Sequence, residues 1–193
     1  MIPAIVLAAG ASTRMGRPKA LLRTGARTFV RAILDSLRGG GVADAVVVIR
    51  GGDAAIAAEI AAAGFGRAVV NPRAEEGQLT SLIAGLDAVD APGVPAVLVT
   101  LVDIPLVAPA TIGALCARAG ESSASIVRAV HRGEHGHPVI FKRGLFEALR
   151  RADPAVGAKE VVRAAVIEDV EVDDPGITED VDTPDDYARL IAP

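Results

Sequence analysis

Apolar residues along the chain alternate between short unbroken runs and longer stretches spaced for one face of a helix. In the first half the runs cover 5–7, 45–49, 68–70 and 95–101, and Val, Ile and Leu dominate them. Such runs suit strands buried on both faces of a parallel sheet. Between them, Phe29, Val30, Ile33, Leu34 and Leu37 repeat at helical spacing over 28–38, and Gly39-Gly40-Gly41 stops the helix. Ile56, Ile60 and Ala63 continue the pattern after Gly51-Gly52-Asp53, with Asp53 placed to cap. Leu79, Leu82, Ile83 and Leu86 form a third apolar face over 77–89. Strand and helix in alternation predict an α/β chain, a single domain of three α/β/α layers around a mostly parallel, doubly wound sheet. The run 95–101, apolar almost throughout, belongs near its centre.

The second half follows the same logic. A helix over 109–119 opens on Pro109, strands cover 125–130 and 138–141, and helices follow at 144–151 and 158–164. Residues 131–137, with three histidines and two glycines, read as the connection between those two strands. A last strand covers 165–172, and Thr183 with Pro184 starts the final helix. There is no internal repeat or low-complexity linker, and Pro92-Gly93 and Pro175-Gly176 sit in turns, so 193 residues suit one domain. Ligands of doubly wound sheets bind beyond the carboxyl ends of the strands. Gly10, Asn71 and Asp103 all fall at such ends, which predicts a single site.

Composition narrows the function. Half the residues are hydrophobic, but Trp is absent and aromatics make up 3%, so the core is aliphatic and stacking platforms for nucleic acid are missing. A net charge of −4 with no dense basic block argues against nucleic acid and membrane surfaces as partners. The one cysteine, Cys116, falls in an apolar helical pattern and reads as a small core residue. No basic segment precedes an apolar leader and no apolar run could span a bilayer, so a cytoplasmic protein is expected.

The densest chemistry lies in 5–22, IVLAAGASTRMGRPKALL. A buried strand passes into small residues and then meets two fixed cations, Arg14 and Lys19. Gly10 and Gly16 let a backbone approach a ligand, and successive amides with added Arg and Lys charges make an anion site. This reads as a polyphosphate loop. It is neither a P-loop, since Lys19 lies outside a Gly-Lys-Ser/Thr triplet, nor the G-x-G-x-x-G dinucleotide fingerprint.

L-A-A-G-x-S-x-R-M-G-x-P-K-x-L-L resembles the signature of nucleotidyltransferases that load a nucleotide onto sugar phosphates, polyol phosphates or molybdopterin. It is most similar to the molybdenum cofactor cytidylyltransferase branch. The resemblance implies an NTP bound along Leu7, Ala8, Ala9, Gly10, Arg14, Gly16 and Lys19, a divalent metal such as Mg²⁺, and release of pyrophosphate. Ala9, where guanylyl relatives carry Gly, favours the smaller base of CTP. An acceptor phosphate is already ionised near neutrality, its second pKa being about 6, so no activated Ser or Cys is required. Catalysis can then rest on positioning and charge, with Lys19 on the transferred α-phosphate and Arg14 on the departing pyrophosphate.

Further resemblances extend the site. Val102-Asp103-Ile104-Pro105 is similar to the family's Gly-Asp-Gln-Pro segment, which makes Asp103 a catalytic metal ligand. Asp180-x-Asp182-Thr183-Pro184 resembles its C-terminal motif and implies Asp182 as the second carboxylate, with Asp180 nearby. Asn71 and Ser81 match the segment that meets base and ribose, although Thr80 there could equally be a plain helix cap. Gly136-His137-Pro138-Val139-Ile140-Phe141 resembles the acceptor-pocket segment, which places His137 against the acceptor. Zinc at His131, His135 and His137 is disfavoured by their spacing. A molybdoenzyme or its maturation factor is the protein partner this branch implies. A sugar or polyol phosphate as acceptor, guanylyl transfer to molybdopterin, and a nucleotide-binding module without turnover remain alternatives.

Overall fold

In the computed structural model, which describes residues 2–192, the aliphatic runs line up as one seven-stranded sheet. The chain enters through β1 (Ala4–Leu7), a loop and a 3-10 turn at Lys19–Leu21. A small ribbon of β2 (Arg23–Thr24) and β3 (Arg27–Thr28) then leads to α1 (Phe29–Gly39), β4 (Ala45–Arg50), α2 (Ala54–Ala63) and β5 (Arg67–Asn71). Next come α3 (Gln78–Val89), β6 (Ala96–Leu101), α4 (Pro109–Glu121), β7 (Ile126–His131) and β8 (Glu134–Lys142). The chain ends with α5 (Phe146–Arg151), α6 (Lys159–Ala164), β9 (Ile167–Glu171) and α7 (Pro184–Ile191). The strand order is β5-β4-β1-β6-β8-β7-β9, and only β8 runs against its neighbours.

Alternate side chains along each central strand divide into two cores. Val6, Val47, Ile49 and Leu98 pack under α1, α2 and α4, whereas Ile5, Val46, Val48, Val97 and Val99 pack under α3 and α5. The expected three-layer α/β/α arrangement is therefore what forms. Burying one such side chain is worth about 1.5–3 kcal/mol, so continuous aliphatic runs select the two-sided position. Crossovers run from β1 outward to β5 and return on its other side as β6. A crevice opens at that reversal, beyond the carboxyl ends of β1 and β6. Among the described residues no helix is long and apolar enough to cross a membrane.

Three local expectations need correction. Residues 131–137 are strand rather than connection: Val130 pairs with His135 and His131 with Glu134, and the turn is only Arg132-Gly133 with φ of 51° and 83°. That left-handed pair is the geometry a two-residue hairpin requires, and the histidines masked it. Asp53 stands at the start of α2, but its carboxylate turns back to accept from the Arg50 amide at 3.1 Å instead of capping. Cys116 lies half-buried at the margin of the core, where burial raises the thiol's pKa.

Helix α3 lies unusually close to the sheet, because a Cβ on Gly85 would fall 2.4 Å from Cγ2 of Ile5 and 3.1 Å from Cγ2 of Val48. Alanine would gain about 1 kcal/mol of helix propensity. Overpacking costs about 1–3 kcal/mol, so Gly85→Ala is expected to lower the urea midpoint. A raised midpoint would mean that α3 can lift off β1 freely.

Candidate active site

The loop after β1 is held from below. Its Met15 is buried with Leu22, Phe29 and Val181, which pins the middle of the loop to the protein. Amides of Met15 and Gly16 both donate to the Ser12 carbonyl at 3.1 Å, closing a turn with left-handed φ at Ser12 (49°) and Gly16 (65°). The Ser12 hydroxyl accepts from the Lys19 amide at 3.2 Å and thereby fixes where the Lys19 side chain begins. Gly10, whose missing Cβ leaves open space, faces the crevice.

A second set of contacts brings the far end of the chain to the same place. Val102 donates to the Leu7 carbonyl at 3.1 Å, locking the end of β6 to the end of β1, and the Asp103 carbonyl accepts from Val181 at 2.9 Å. Asp174 is buried and accepts from the Ala108 amide, the Thr111 hydroxyl and the Gly176 amide at 2.8, 2.6 and 3.1 Å. It thus ties the returning segment to the start of α4. Close crossing requires glycine twice: a Cβ on Gly136 would lie 2.1 Å from the Ile177 carbonyl oxygen, and one on Gly176 would lie 2.6 Å from that of Leu106. At α7 the Asp186 carboxylate accepts from the amides of Asp182 and Thr183 at 3.1 and 2.7 Å, while the Thr183 hydroxyl accepts from Asp186. This capping box orients Asp182.

Four charges then meet. Nζ of Lys19 donates to Oδ2 of Asp103 at 2.9 Å and to Oδ1 of Asp182 at 2.5 Å, and Arg14 donates to Oδ2 of Asp182 at 2.7 Å. The Lys19 side chain is 11% exposed, those of Asp103 and Asp182 23% and 31%, and that of Arg14 66%. Burial works against the Lys19 charge, but hydrogen bonds to Asp182 and Asp103 and their negative charges outweigh it, so its pKa lies above the ordinary value. The hydrogen bond from Lys19 holds Asp182 below the usual carboxylate range against some burial, helped by the charges of Lys19 and Arg14. Oδ1 of Asp103 is buried and has no hydrogen-bond partner among the described residues. Two converging carboxylates, one with an unpartnered oxygen, fit a hard divalent cation that completes its shell with phosphate oxygens and water.

Leu7, Ala9, Gly10, Arg14, Lys19, Ser81, Asp103 and Asp182 all line one cleft of about 410 Å³. Ala8 and Gly16 instead line a second hollow of about 320 Å³, which Gly10 and Lys19 also border. Asn71 reaches neither hollow; its amide is buried and spent on Thr80 and Ser81 at 2.9 Å each, and its carbonyl accepts from the Arg73 amide. Thr80 does not cap α3, whose start is Gly77 at φ 111°. His137 lies in an adjoining apolar chamber of about 660 Å³ that shares Leu7, Gln78 and Leu101 with the cleft. Burial lowers its pKa, although a bond to the Val99 carbonyl and the charge of Asp103 oppose this, which favours the neutral ring. His131, His135 and His137 do not converge, and no set of three metal-ligating side chains exists among the described residues. Arg50 and Glu75, not expected from the sequence, also line the cleft, as does Gln78 from the segment likened to the base and ribose contact. Arg50 ends β4, and the rule about strand ends could have found it.

The sign of the pH dependence follows from the shifts. Asp182, lowered from 3.8, stabilises the fold above that value and loses its contribution as pH falls through its folded pKa. Lys19, raised from 10.5, contributes fully below that value and is lost as pH rises through its folded pKa. The melting-temperature gap between wild type and Asp182→Asn should therefore be widest near neutrality and close below pH 3.8. A gap that persists unchanged in acid would remove Asp182 from the ionic cluster.

Comparison with known proteins identifies the family of the chain. Residues 4–170 match the family model described as MobA-like NTP transferase domain; the match ends short of Asp182. Nicotine blue oxidoreductase of Paenarthrobacter nicotinovorans is 31% identical, covering 98% of this chain and 96% of its own. The crystal structure of Rv0371c from Mycobacterium tuberculosis H37Rv is 32% identical with a TM-score of 0.84, covering 98% of this chain and 96% of its own. A manganese complex of Rv0371c is 30% identical with a TM-score of 0.80, covering 98% and 97%. On the strength of the family match across most of its length, this chain belongs to the MobA-like NTP transferase family.

Proposed function

We propose that the protein transfers a nucleotidyl group, preferably CMP from CTP, to a phosphorylated acceptor of the molybdopterin type and releases pyrophosphate. The observation that carries this reading is the convergence of Lys19, Arg14, Asp103 and Asp182 on one cleft beneath the loop. The acceptor phosphate attacks the α-phosphorus, the bond to the β-phosphate oxygen breaks, and pyrophosphate leaves with the electron pair. In this reading Lys19 would neutralise charge on the α-phosphate, and the more exposed Arg14 would follow the pyrophosphate outward. Asp103 and Asp182 would hold a divalent cation, in our reading Mg²⁺, which supplies Lewis-acid neutralisation of the triphosphate when bound. The manganese complex of Rv0371c supports a metal of that class.

For CTP, the support is Ala9, whose side chain borders the cleft where a larger base would need room. For the acceptor, the support is the adjoining chamber. Leu79, Leu82, Val139 and Phe141 line it beside Arg128 and Lys159, and among the described residues no carboxylate lines it to bind sugar hydroxyls. This favours a flat anion over a sugar or polyol phosphate. Neutral His137, with Nδ1–H on the Val99 carbonyl, can present Nε2 to such an acceptor. Delivery of the product to a molybdoenzyme or its maturation factor belongs to the same reading. A second reading, hydride or electron transfer to a flat dye, is favoured by the same apolar chamber and by the oxidoreductase name of the Paenarthrobacter relative. The lack of a dinucleotide fingerprint weighs against it.

A matrix of CTP, GTP, ATP and UTP against molybdopterin and sugar phosphates, scored by pyrophosphate, tests the proposal. We expect CTP with molybdopterin to dominate; nicotinamide-dependent dye reduction without pyrophosphate would overturn it. In the productive pair, Lys19→Ala should lower kcat about 10²–10³-fold, the usual cost of losing one preorganised charge donor. Unchanged turnover would remove Lys19 from the chemistry.

A further inference from the structure

The carboxylates that would hold the metal already hold two cations. Oδ1 of Asp182 is taken by Lys19 and Oδ2 by Arg14, while Oδ2 of Asp103 is taken by Lys19. Of these four oxygens only Oδ1 of Asp103 has no hydrogen-bond partner among the described residues. A divalent ion bound by both acids therefore needs an Asp182 oxygen that now faces an ammonium or a guanidinium. Charge makes the same demand: two carboxylates balance two monovalent cations, and a further double positive charge in a partly buried cleft is repelled unless an anion comes with it.

Of the two cations, Lys19 is the stronger obstacle. It bridges both acids and is nearly buried, whereas Arg14 touches one acid from an exposed position where ion pairs are weak. Its backbone is fixed by the Ser12 hydroxyl, but its four-carbon stem lets the ammonium swing toward a new partner.

We propose that Lys19 is a resident plug in the metal site, drawn off the two acids by the incoming triphosphate, so that the divalent ion binds with the nucleotide or after it. The plug rests on the divalent-metal reading above. It turns one side chain into both the phosphate-binding group and the gate for the metal, and it keeps the acids neutralised while the cleft is empty of nucleotide.

Manganese binding without nucleotide, followed by electron paramagnetic resonance, tests this on wild type, Lys19→Met and Arg14→Gln. Lys19→Met should bind Mn²⁺ at least about tenfold more tightly than wild type, and Arg14→Gln should gain less. In EDTA, wild type should still bind CTP by calorimetry. Equal Mn²⁺ affinity in wild type and Lys19→Met, a gain confined to Arg14→Gln, or CTP binding that requires Mn²⁺ would each overturn the plug. If no form binds Mn²⁺, the metal reading itself falls and the plug with it. Thermal melts verify folding; should Lys19→Met lose its cooperative melt, Lys19→Gln takes its place with the same expectations.

Discussion

One ammonium shared by two carboxylates holds the centre of this molecule together. Lys19 comes from the first loop, Asp103 from the middle of the chain and Asp182 from its end. The three sit in partly buried positions, where a charge that loses its partner costs more than an exposed pair gains. The surrounding structure can be understood as what this arrangement requires. Met15 anchors the loop, Ser12 starts the Lys19 side chain in the right place, and the bond from Val181 to the Asp103 carbonyl brings the third member in.

The longest reach belongs to the C-terminal segment, and backbone contact makes it work. Gly136 and Gly176 let the segment cross β8 and the loop after β6 at distances that no Cβ permits, and buried Asp174 fastens it to α4. The sheet reversal between β1 and β6 supplies the crevice, and the ionic cluster lies at its floor with an apolar chamber beside it. A charged cleft open to an aliphatic chamber suits a reaction between a polyphosphate and a partner with a flat, greasy body. The same chain belongs to a family of nucleotide transferases and has a relative that carries an oxidoreductase name. The chemistry of this particular cleft is what separates those roles.

Much of the architecture was legible in the sequence because aliphatic periodicity is a direct record of burial. Runs such as 45–49 and 95–101 suit strands buried on both faces, and in the sheet that forms 95–101 is the central strand while 45–49 lies one strand in from an edge. Lys19, Asp103 and Asp182 were legible as a set through their motifs, with the end-of-strand rule supporting Asp103. The details that escaped depend on tertiary contacts. The first half of β8 was hidden because His135, Gly136 and His137 carry no β signal, and pairing with β7 overrides that local preference. Asn71 looked like a ligand-binding residue at a strand end, but its side chain is consumed in bracing Thr80 and Ser81. Asp174 had no motif to mark it; only the fold shows that its carboxylate satisfies three donors at once.

In the mechanism proposed above, this cleft receives a nucleotide whose reacting phosphate replaces the two acids as the partner of Lys19. A crystal structure with CTP and Mn²⁺ measures that directly. The α-phosphate is expected within hydrogen-bond distance of Lys19 Nζ, with the metal on Asp103 and Asp182. A nucleotide bound elsewhere, with Lys19 still bridging both carboxylates, would contradict it.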